Sequence, residues 1–467
     1  MATCFCHWRN LLICVCTSCT SLILMFLLTG YIILCLSMQS KSISLWEPNN
    51  LFVASGVLQI PSFAPLPKTF WDINFQNAYW NKLQRTIDEN FNPILNIKAP
   101  RKPRRTSFDD LLIKQSFSKI RNSESMRKIF EELPEQMQEF VRYMQRRDYP
   151  LLLQPREACG VHAKDEKEPP LLLFAIKTSE MNIKNRIAIR KTWGKVGWAV
   201  GLKPNSTEQV GGYIRRVFLL GKENTDSMDL SSLLRMENEY YGDMLQWDFQ
   251  DTFFNLTLKD VLFWDWFSKS CKQIAFVFKG DDDIFVNTPK MVAYLQEQRT
   301  KLQAMKTMDE FVVGDVIESA IPSRSSQSKY FIPDNFYNGL YPRYAGGGGV
   351  VYSGQLIKRL HNISKRVHLF PIDDVYVGMC ILRLNTSPVH HPAFLTFDFK
   401  EKKSLCSYHT ILLVHKRSPS EVIKLWDDLK KTQTKCQHVP LREEQKMIVS
   451  AIAAIQDSQI LVDNLFL

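Results

Sequence analysis

Residues Phe276 to Lys290 read FVFKGDDDIFVNTPK. An apolar run is broken by Lys279 and Gly280, three carboxylates follow at Asp281, Asp282 and Asp283, and an apolar run resumes at Ile284. Adjacent carboxylates repel one another, and partial burial raises their pKa values. A divalent cation removes that conflict, because hard carboxylate oxygens suit Mg²⁺ or Mn²⁺, which in turn bridge phosphate oxygens. An Asp-x-Asp turn alone also reads as an ordinary turn, a phosphatase site with Asp281 as nucleophile, or a calcium loop. Ile284 and Phe285 leave no Thr or Val at the fifth position of the phosphatase signature. The alternating ligands of a calcium loop are missing as well.

Around this turn, from Leu171 onward, apolar runs alternate with amphipathic segments, the pattern of an α/β domain. Strands are expected at Leu171–Ile176, Arg216–Leu220, Ile274–Phe278 and Phe311–Val316. Helices are expected at Asn182–Thr192, Leu230–Tyr240, Thr257–Ser270, Pro289–Gln298 and Gln355–His361. A late helix opens at Ser418-Pro-Ser-Glu421, with Ser at the N-cap, Pro at N1 and Glu at N3. In open α/β sheets ligands gather beyond the carboxyl ends of the strands, which is where the acidic triplet falls. A second acidic step, Asp373-Asp374, stands in PIDDVYVG (Pro371–Gly378). It reads either as a helix N-terminus or as a general base for an attacking hydroxyl. Between the two steps, Gly346 to Gly349 allow close backbone approach to a flat ligand or form a flexible loop; the apolar VVY that follows favours the former. Arg186 and Arg190, four apart, share one helical face, turned to phosphate or uracil or to internal salt bridges.

The 467-residue chain is 45% hydrophobic and 23% charged, with 59 Lys and Arg against 48 acids and a formal charge of +11. No zinc-finger spacing or aromatic RNA-binding signature accompanies that excess, so nucleic acid is not the expected partner. An anionic ligand, a membrane surface or a solvated surface accounts for it. Residues 11–36 carry no charge and are long enough to cross a bilayer. They also exceed a signal-peptide core and lack its cleavage site. A short cytoplasmic tail (1–10), an uncleaved anchor (11–36) and a lumenal body are expected. The segment WDINFQNAYWNKLQRTIDENFNPIL is expected to wrap onto that body through Trp71, Tyr79, Trp80 and Phe91, with short helices around Phe108–Lys119 and Pro134–Gln145. Five of the 11 cysteines lie beyond the anchor region (Cys159, Cys271, Cys380, Cys406 and Cys436). Some should form disulfides in a lumen, and the odd count leaves at least one unpaired. Sequons at Asn205, Asn255, Asn362 and Asn385 suit the same compartment.

In order, RIAIRKTWG (Arg186–Gly194), RVFLLG (Arg216–Gly221), DTFFNLTLK (Asp251–Lys259), FVFKGDDDIFVN, YAGGGGVVYSG (Tyr344–Gly354), IDDVYVG and LLVHKRSP (Leu412–Pro419) resemble the β1,3-glycosyltransferase family, in particular its β1,3-N-acetylglucosaminyltransferase branch. The resemblance implies an α/β fold of the GT-A type with a mixed central sheet, a UDP-GlcNAc donor, Mn²⁺ or Mg²⁺, and inversion at the transferred sugar. It implies β-galactose-terminated glycan acceptors, a single-pass type II Golgi membrane protein, and homo- or hetero-oligomers with related enzymes. Matched residue by residue, Asp283 and His415 ligate the metal. Asp281 and Lys177 meet the donor; Asp282, Arg186 and Arg190 are further candidates for donor contact. Asp374 is the base, with Asp373 beside it shaping the pocket. The implied organisation is a stem with accessory helices over 37–168, a catalytic domain over 169–436, and an extension over 437–467 with no assigned role. MQRRDYPLLL lacks a cysteine that relatives carry, which leaves Cys159 without its usual partner; Cys380 with Cys406 is then the favoured disulfide. A β1,3-galactosyltransferase using UDP-galactose and a catalytically silent glycan-binding or partner subunit are the alternative readings.

Overall fold

The computed structural model describes residues 78–91, 123–156, 159, 168–202, 210–223, 229–318 and 320–443. All of them belong to the unit Phe52–Leu467. The anchor at 11–36, the helix expected near 108–119, Trp71, the Asn205 sequon and residues 444–467 lie outside them. Among the described residues no helix is long and apolar enough to cross a membrane.

The strands are β1 (Leu151–Leu153), β2 (Leu172–Lys177), β3 (Gly197–Gly201), β4 (Val210–Lys222), β5 (Met244–Gln250), β6 (Phe276–Asp281), β7 (Phe285–Val286), β8 (Val312–Ile317), β9 (Tyr344–Ser353), β10 (Val389–His390), β11 (Phe394–Leu395) and β12 (Leu413–Val414). The α-helices are α1 (Tyr79–Phe91), α2 (Glu124–Glu131), α3 (Glu135–Tyr143), α4 (Ile183–Lys191), α5 (Ser231–Tyr241), α6 (Leu256–Ser270), α7 (Thr288–Met305), α8 (Gly354–Ser364), α9 (Asp373–Arg383) and α10 (Pro419–Cys436). The large sheet runs β1-β5-β4-β2-β6-β9-β8-β10, with β3 hydrogen-bonded to β4; a small sheet runs β11-β12-β7. β5, β4, β2 and β6 are parallel, whereas β9 is antiparallel to both β6 and β8. The sheet is therefore mixed, as the resemblance implied.

Strand β2 shows why the sequence takes this form. All six residues of LLFAIK are buried, as a parallel strand covered on both faces requires. Leu173 and Ala175 join one core cluster with the apolar faces of α6, α8 and α9. Leu172, Phe174 and Ile176 join another with α4, α7, α10 and the small sheet. Helix boundaries follow local chemistry. Ser418 and Glu421 form the expected capping box at α10. Asn287 caps α7 by accepting from Lys290 N at 3.3 Å, beside Pro289. α5 stops at Gly242, whose φ of 65° is left-handed.

Each strand and helix expected after Leu171 is present, but β4 begins six residues before the expected Arg216 and α7 runs seven residues beyond the expected Gln298. α2, β1, β3, β5, β7, β10, β11 and the long β9 were not anticipated, nor was the helical form of 79–91. Tyr79 and Trp80 do pack onto the body, at 1% and 4% exposure. Trp80 Nε1 donates to Leu369 O at 3.0 Å, and Asp88 pairs with Arg383 at 2.8 Å. The side chain of Phe91 is outside the described set.

The disulfide expectation is corrected. Cys159 is bonded to Cys271 and Cys406 to Cys436, while Cys380 is a buried free thiol. Cys380 points from α9 into the core shared with α6 and α8, whereas the apolar residues of α10, the helix that ends in Cys436, pack into the other core. Cys380 and Cys406 are thus held on different faces of the sheet. Burial pushes the Cys380 thiol up to about 12, which keeps it an inert core residue. Peptide mapping without reduction should recover the 159–271 and 406–436 linkages with Cys380 alkylated only after unfolding; a 380–406 peptide would contradict this pairing. Cys159→Ser should cost about 2–4 kcal/mol in an unfolding titration, because the link closes a long loop.

Candidate active site

The parallel register of β2 and β6 sets Lys177 opposite Asp281 at the carboxyl edge of the sheet. Lys177 Nζ stands 3.0 Å from Asp281 Oδ1 and 2.7 Å from Asp373 Oδ2. Two residues earlier in β6, Lys279 Nζ stands 2.5 Å from Asp260 Oδ2 of α6. It lies 3.7 Å from Asp373 and 3.8 Å from Asp374, the first two residues of α9. Acids in the first turn of a helix meet its positive end, which is the helix-terminus reading of this step.

The acidic turn is closed by the small sheet. β12 runs antiparallel to β7, with Val414 opposite Phe285, and this folds His415 back over the turn. Arg417 N donates to Asp283 O at 2.6 Å to fix the return. His415 Nε2 is 3.1 Å from Asp283 Oδ1 and 3.7 Å from Asp281 Oδ2. One ligand atom from each of Asp281, Asp283 and His415 falls within 4.8 Å of the others. Two carboxylates and an imidazole form a donor set that suits Mn²⁺, so these residues fit the metal that the resemblance implies. Burial pushes the Asp283 carboxyl up, but the His415 hydrogen bond and charge outweigh it and hold it below the usual range.

The glycine run has a different purpose from the one expected. Gly346 to Gly349 are part of β9, not a loop, and the space beside them is filled by the protein itself. A Cβ on Gly347 would strike Thr396, one on Gly348 would sit 2.7 Å from the His415 ring, and one on Gly349 would sit 2.5 Å from Leu413. Gly347 and Gly348 also hold φ values of +80° and +91°, which glycine adopts without strain. The run lets the small sheet close onto β9 and carry His415 to the acidic turn. Gly346, of the four, borders the acids of α9: a Cβ there would sit 3.1 Å from Asp374 Oδ2.

The two acids of α9 are pushed apart. Burial raises the Asp373 carboxyl, but Lys177 first and Lys279 second outweigh it and hold it well below the usual range. Burial raises Asp374, the neighbouring charge of Asp373 raises it further, and it reaches about 7. Asp373 has 8% of its side chain exposed and Asp374 28%. One acid is a fixed, buried anion; the other faces the cleft and is poised to exchange a proton near neutrality.

Three residues expected at the donor turn elsewhere. Asp282 accepts from Thr178 Oγ1 and from Asn182 Nδ2 at 2.9 Å, which anchors the turn to the loop after β2. Burial pushes its carboxyl up to about 6. Arg186, 0% exposed, grips Glu237 with Nε and Nη2, each at 2.8 Å, and donates to Ser179 O and Glu180 O. Arg190 binds Glu237 at 2.6 Å and Asp243 at 2.8 Å, with Tyr241 stacked 3.9 Å from its guanidinium carbon. Both arginines realise the internal salt-bridge alternative. Lys177 is in the cleft, but as the bridge between Asp281 and Asp373. Lys279 and Asp260 were missed; the signals were a lysine inside the apolar run FVFKG and an Asp between Leu258 and Val261 in an apolar helix.

The chain matches the model of the galactosyltransferase family over residues 184–392. It is 40% identical over 377 residues to human N-acetyllactosaminide β1,3-N-acetylglucosaminyltransferase 2, covering 79% of this chain and 89% of that protein. Human N-acetyllactosaminide β1,3-N-acetylglucosaminyltransferase 4 is 39% identical over 314 residues, covering 66% and 76%. Rat UDP-GlcNAc:βGal β1,3-N-acetylglucosaminyltransferase 7 is 36% identical over 307 residues, covering 64% and 72%.

Two substitutions test this geometry. Gly348→Ala should displace the His415 ring and weaken Mn²⁺ binding by about 10–100-fold in a calorimetric titration. Gly197→Ala, with φ of +108° and nothing near its Cβ, should leave it unchanged. Arg186→Met should cost about 1–3 kcal/mol of stability, because Ser179 O and Glu180 O lose their donor while Arg190 still pairs with Glu237, with the KM for the nucleotide sugar unaltered in the folded fraction. A raised KM at full stability would return Arg186 to the donor site.

Proposed function

The chain belongs to the galactosyltransferase family, and on that premise we propose that it transfers GlcNAc from UDP-GlcNAc, with inversion, to the 3-hydroxyl of terminal β-galactose in N-acetyllactosamine-type glycans. Its likeness to relatives named N-acetyllactosaminide β1,3-N-acetylglucosaminyltransferases supports donor, acceptor and linkage. The mixed sheet with its acidic turn at a strand end supports the GT-A reading. Two disulfides in the body suit an oxidising lumen, in keeping with a Golgi protein anchored by residues 11–36.

The observation that carries the chemistry is the separation of Asp373 from Asp374. Asp374, exposed to the cleft and pushed up to about 7 by burial and by Asp373, accepts the proton of the attacking galactose hydroxyl. Asp373 stays ionised against Lys177 and keeps that ammonium fixed. The acceptor oxygen forms its bond to the anomeric carbon as the bond from that carbon to the phosphate oxygen breaks, and the electron pair leaves with UDP. Asp281, Asp283 and His415 would hold Mn²⁺ or Mg²⁺, which when bound neutralises charge on the leaving diphosphate. Asp282, Thr178 and Asn182 keep the turn rigid while this occurs.

Asp374→Asn should lower kcat by about 10²–10⁴-fold while calorimetry finds UDP-GlcNAc affinity retained. Inactivity of Asp373→Asn beside an active Asp374→Asn would reverse the assignment. Because only ionised Asp374 accepts a proton, kcat/KM should fall as pH drops through its pKa. Product NMR should show GlcNAc β-linked to O3 of galactose. An α linkage would overturn inversion, and turnover of UDP-galactose in place of UDP-GlcNAc would favour the galactosyltransferase reading.

A further inference from the structure

Lys279 is 2% exposed, and Asp260, its partner, is 0% exposed on the core side of α6. Neither opens onto the cleft, so neither is placed to touch a substrate. The spacing around Lys279 is nevertheless graded: its ammonium is in hydrogen-bonded contact with Asp260 at 2.5 Å, but stops 3.7 Å from Asp373 and 3.8 Å from Asp374. The groups that face Asp374 are Asp373 on its own helix, Lys279 and Asp281 on β6, Lys177 on β2, and Tyr344 and Tyr352 on β9. Lys177 is committed to Asp281 and Asp373. Lys279 is therefore the cation able to advance on Asp374, and Asp260 is what holds it.

A buried ammonium in direct contact with Asp374 would form a charge-assisted hydrogen bond to the oxygen that has to receive a proton. We infer that Asp260 is a positioning residue for the transfer reaction: it draws Lys279 back, so that the ammonium acts on Asp374 as a nearby charge and not as a hydrogen-bond donor. This rests on the reading of Asp374 as the base. Asp260 has a second oxygen, Oδ1, buried without a hydrogen-bond partner, so its carboxylate is committed to Lys279 alone. Removing Asp260 and removing Lys279 should consequently move the titration of Asp374 in opposite directions. A brace whose ammonium stays in place when Asp260 is removed would leave kcat of Asp260→Asn unchanged.

The test is the pH dependence of kcat/KM for the full-length, manganese-loaded protein carrying Asp260→Asn or Lys279→Met, with UDP-GlcNAc affinity measured by calorimetry. In Asp260→Asn the freed ammonium closes on Asp374, so the acid limb should move down by about one pH unit and kcat should fall about tenfold or more, with donor affinity unchanged. In Lys279→Met the nearby cation is gone and the limb should move up by about one pH unit. The double variant leaves no unpaired buried charge, so it should fold when a single variant does not, and its limb should also move up. Unmoved limbs in folded protein, or shifts of the same sign in the two single variants, would overturn the inference. If only the double variant folds, an unmoved limb there overturns it. Asp374→Asn is measured alongside. If it retains turnover, the base assignment fails and the inference with it; if it is inactive while the limbs stay fixed, the inference fails alone.

Discussion

Lys177 holds together two carboxylates from different elements of the cleft. Its ammonium lies 3.0 Å from Asp281, in the group suited to a metal, and 2.7 Å from Asp373, in the acidic pair that opens α9. Burial works against an ammonium, yet Asp281 and Asp373 outweigh it and hold the Lys177 proton on well above the usual range. Removing one partner from such a buried pair costs about 3–5 kcal/mol. The same contact therefore stabilises the sheet edge and fixes the distance between the two halves of the site. Parallel pairing of β2 with β6 places Lys177 opposite Asp281, and α9 delivers Asp373 from the other side.

The second constraint is steric. The site needs His415 beside an acidic turn that joins β6 of the large sheet to β7 of the small one, and side chains on β9 would keep the two sheets apart. Glycines at 347, 348 and 349 remove them. Electrostatic attraction between His415 and Asp283 could not act without that clearance. Elsewhere the strongly marked motifs serve as bracing. Asp251 and Lys259 pair at 2.7 Å, Gly221 N donates to Asp251, and Lys259 donates to Thr178 O, which ties together the ends of β4, α6 and the loop after β2. Arg216 pairs with Asp243 at 2.5 Å and donates to Gly194 O, which joins RVFLLG to the end of RIAIRKTWG.

What could be read from the sequence is what local pattern determines. The runs LLFAIK and FVFKG are legible as buried strands, Ser418 to Glu421 as a helix start, and the acidic triplet as a turn at a strand end. Asp283, His415, Asp281, Asp373 and Asp374 could be nominated, and they meet in one cleft. The failures share a cause: each depended on which distant group a side chain meets. Arg186 and Arg190 do share a helical face, but Glu237 and Asp243 wait on that face. Asp282 sits inside the triplet yet turns to Thr178 and Asn182. Cys380 is nearest in sequence to Cys406, but helix α9 aims it into the opposite core. The four glycines were legible as a demand for close approach, not as to what approaches.

On the proposed function, one cleft divides its acids between a metal-binding group (Asp281, Asp283, His415) and a proton-accepting one (Asp374), joined through Lys177. A crystal of the protein grown with UDP and Mn²⁺, measured at the manganese absorption edge, tests it directly. One anomalous peak is expected within coordination distance of Asp281, Asp283 and His415, with the Asp374 carboxylate open to the cleft and unligated. A peak held by Asp282, or by Asp373 and Asp374, would contradict it.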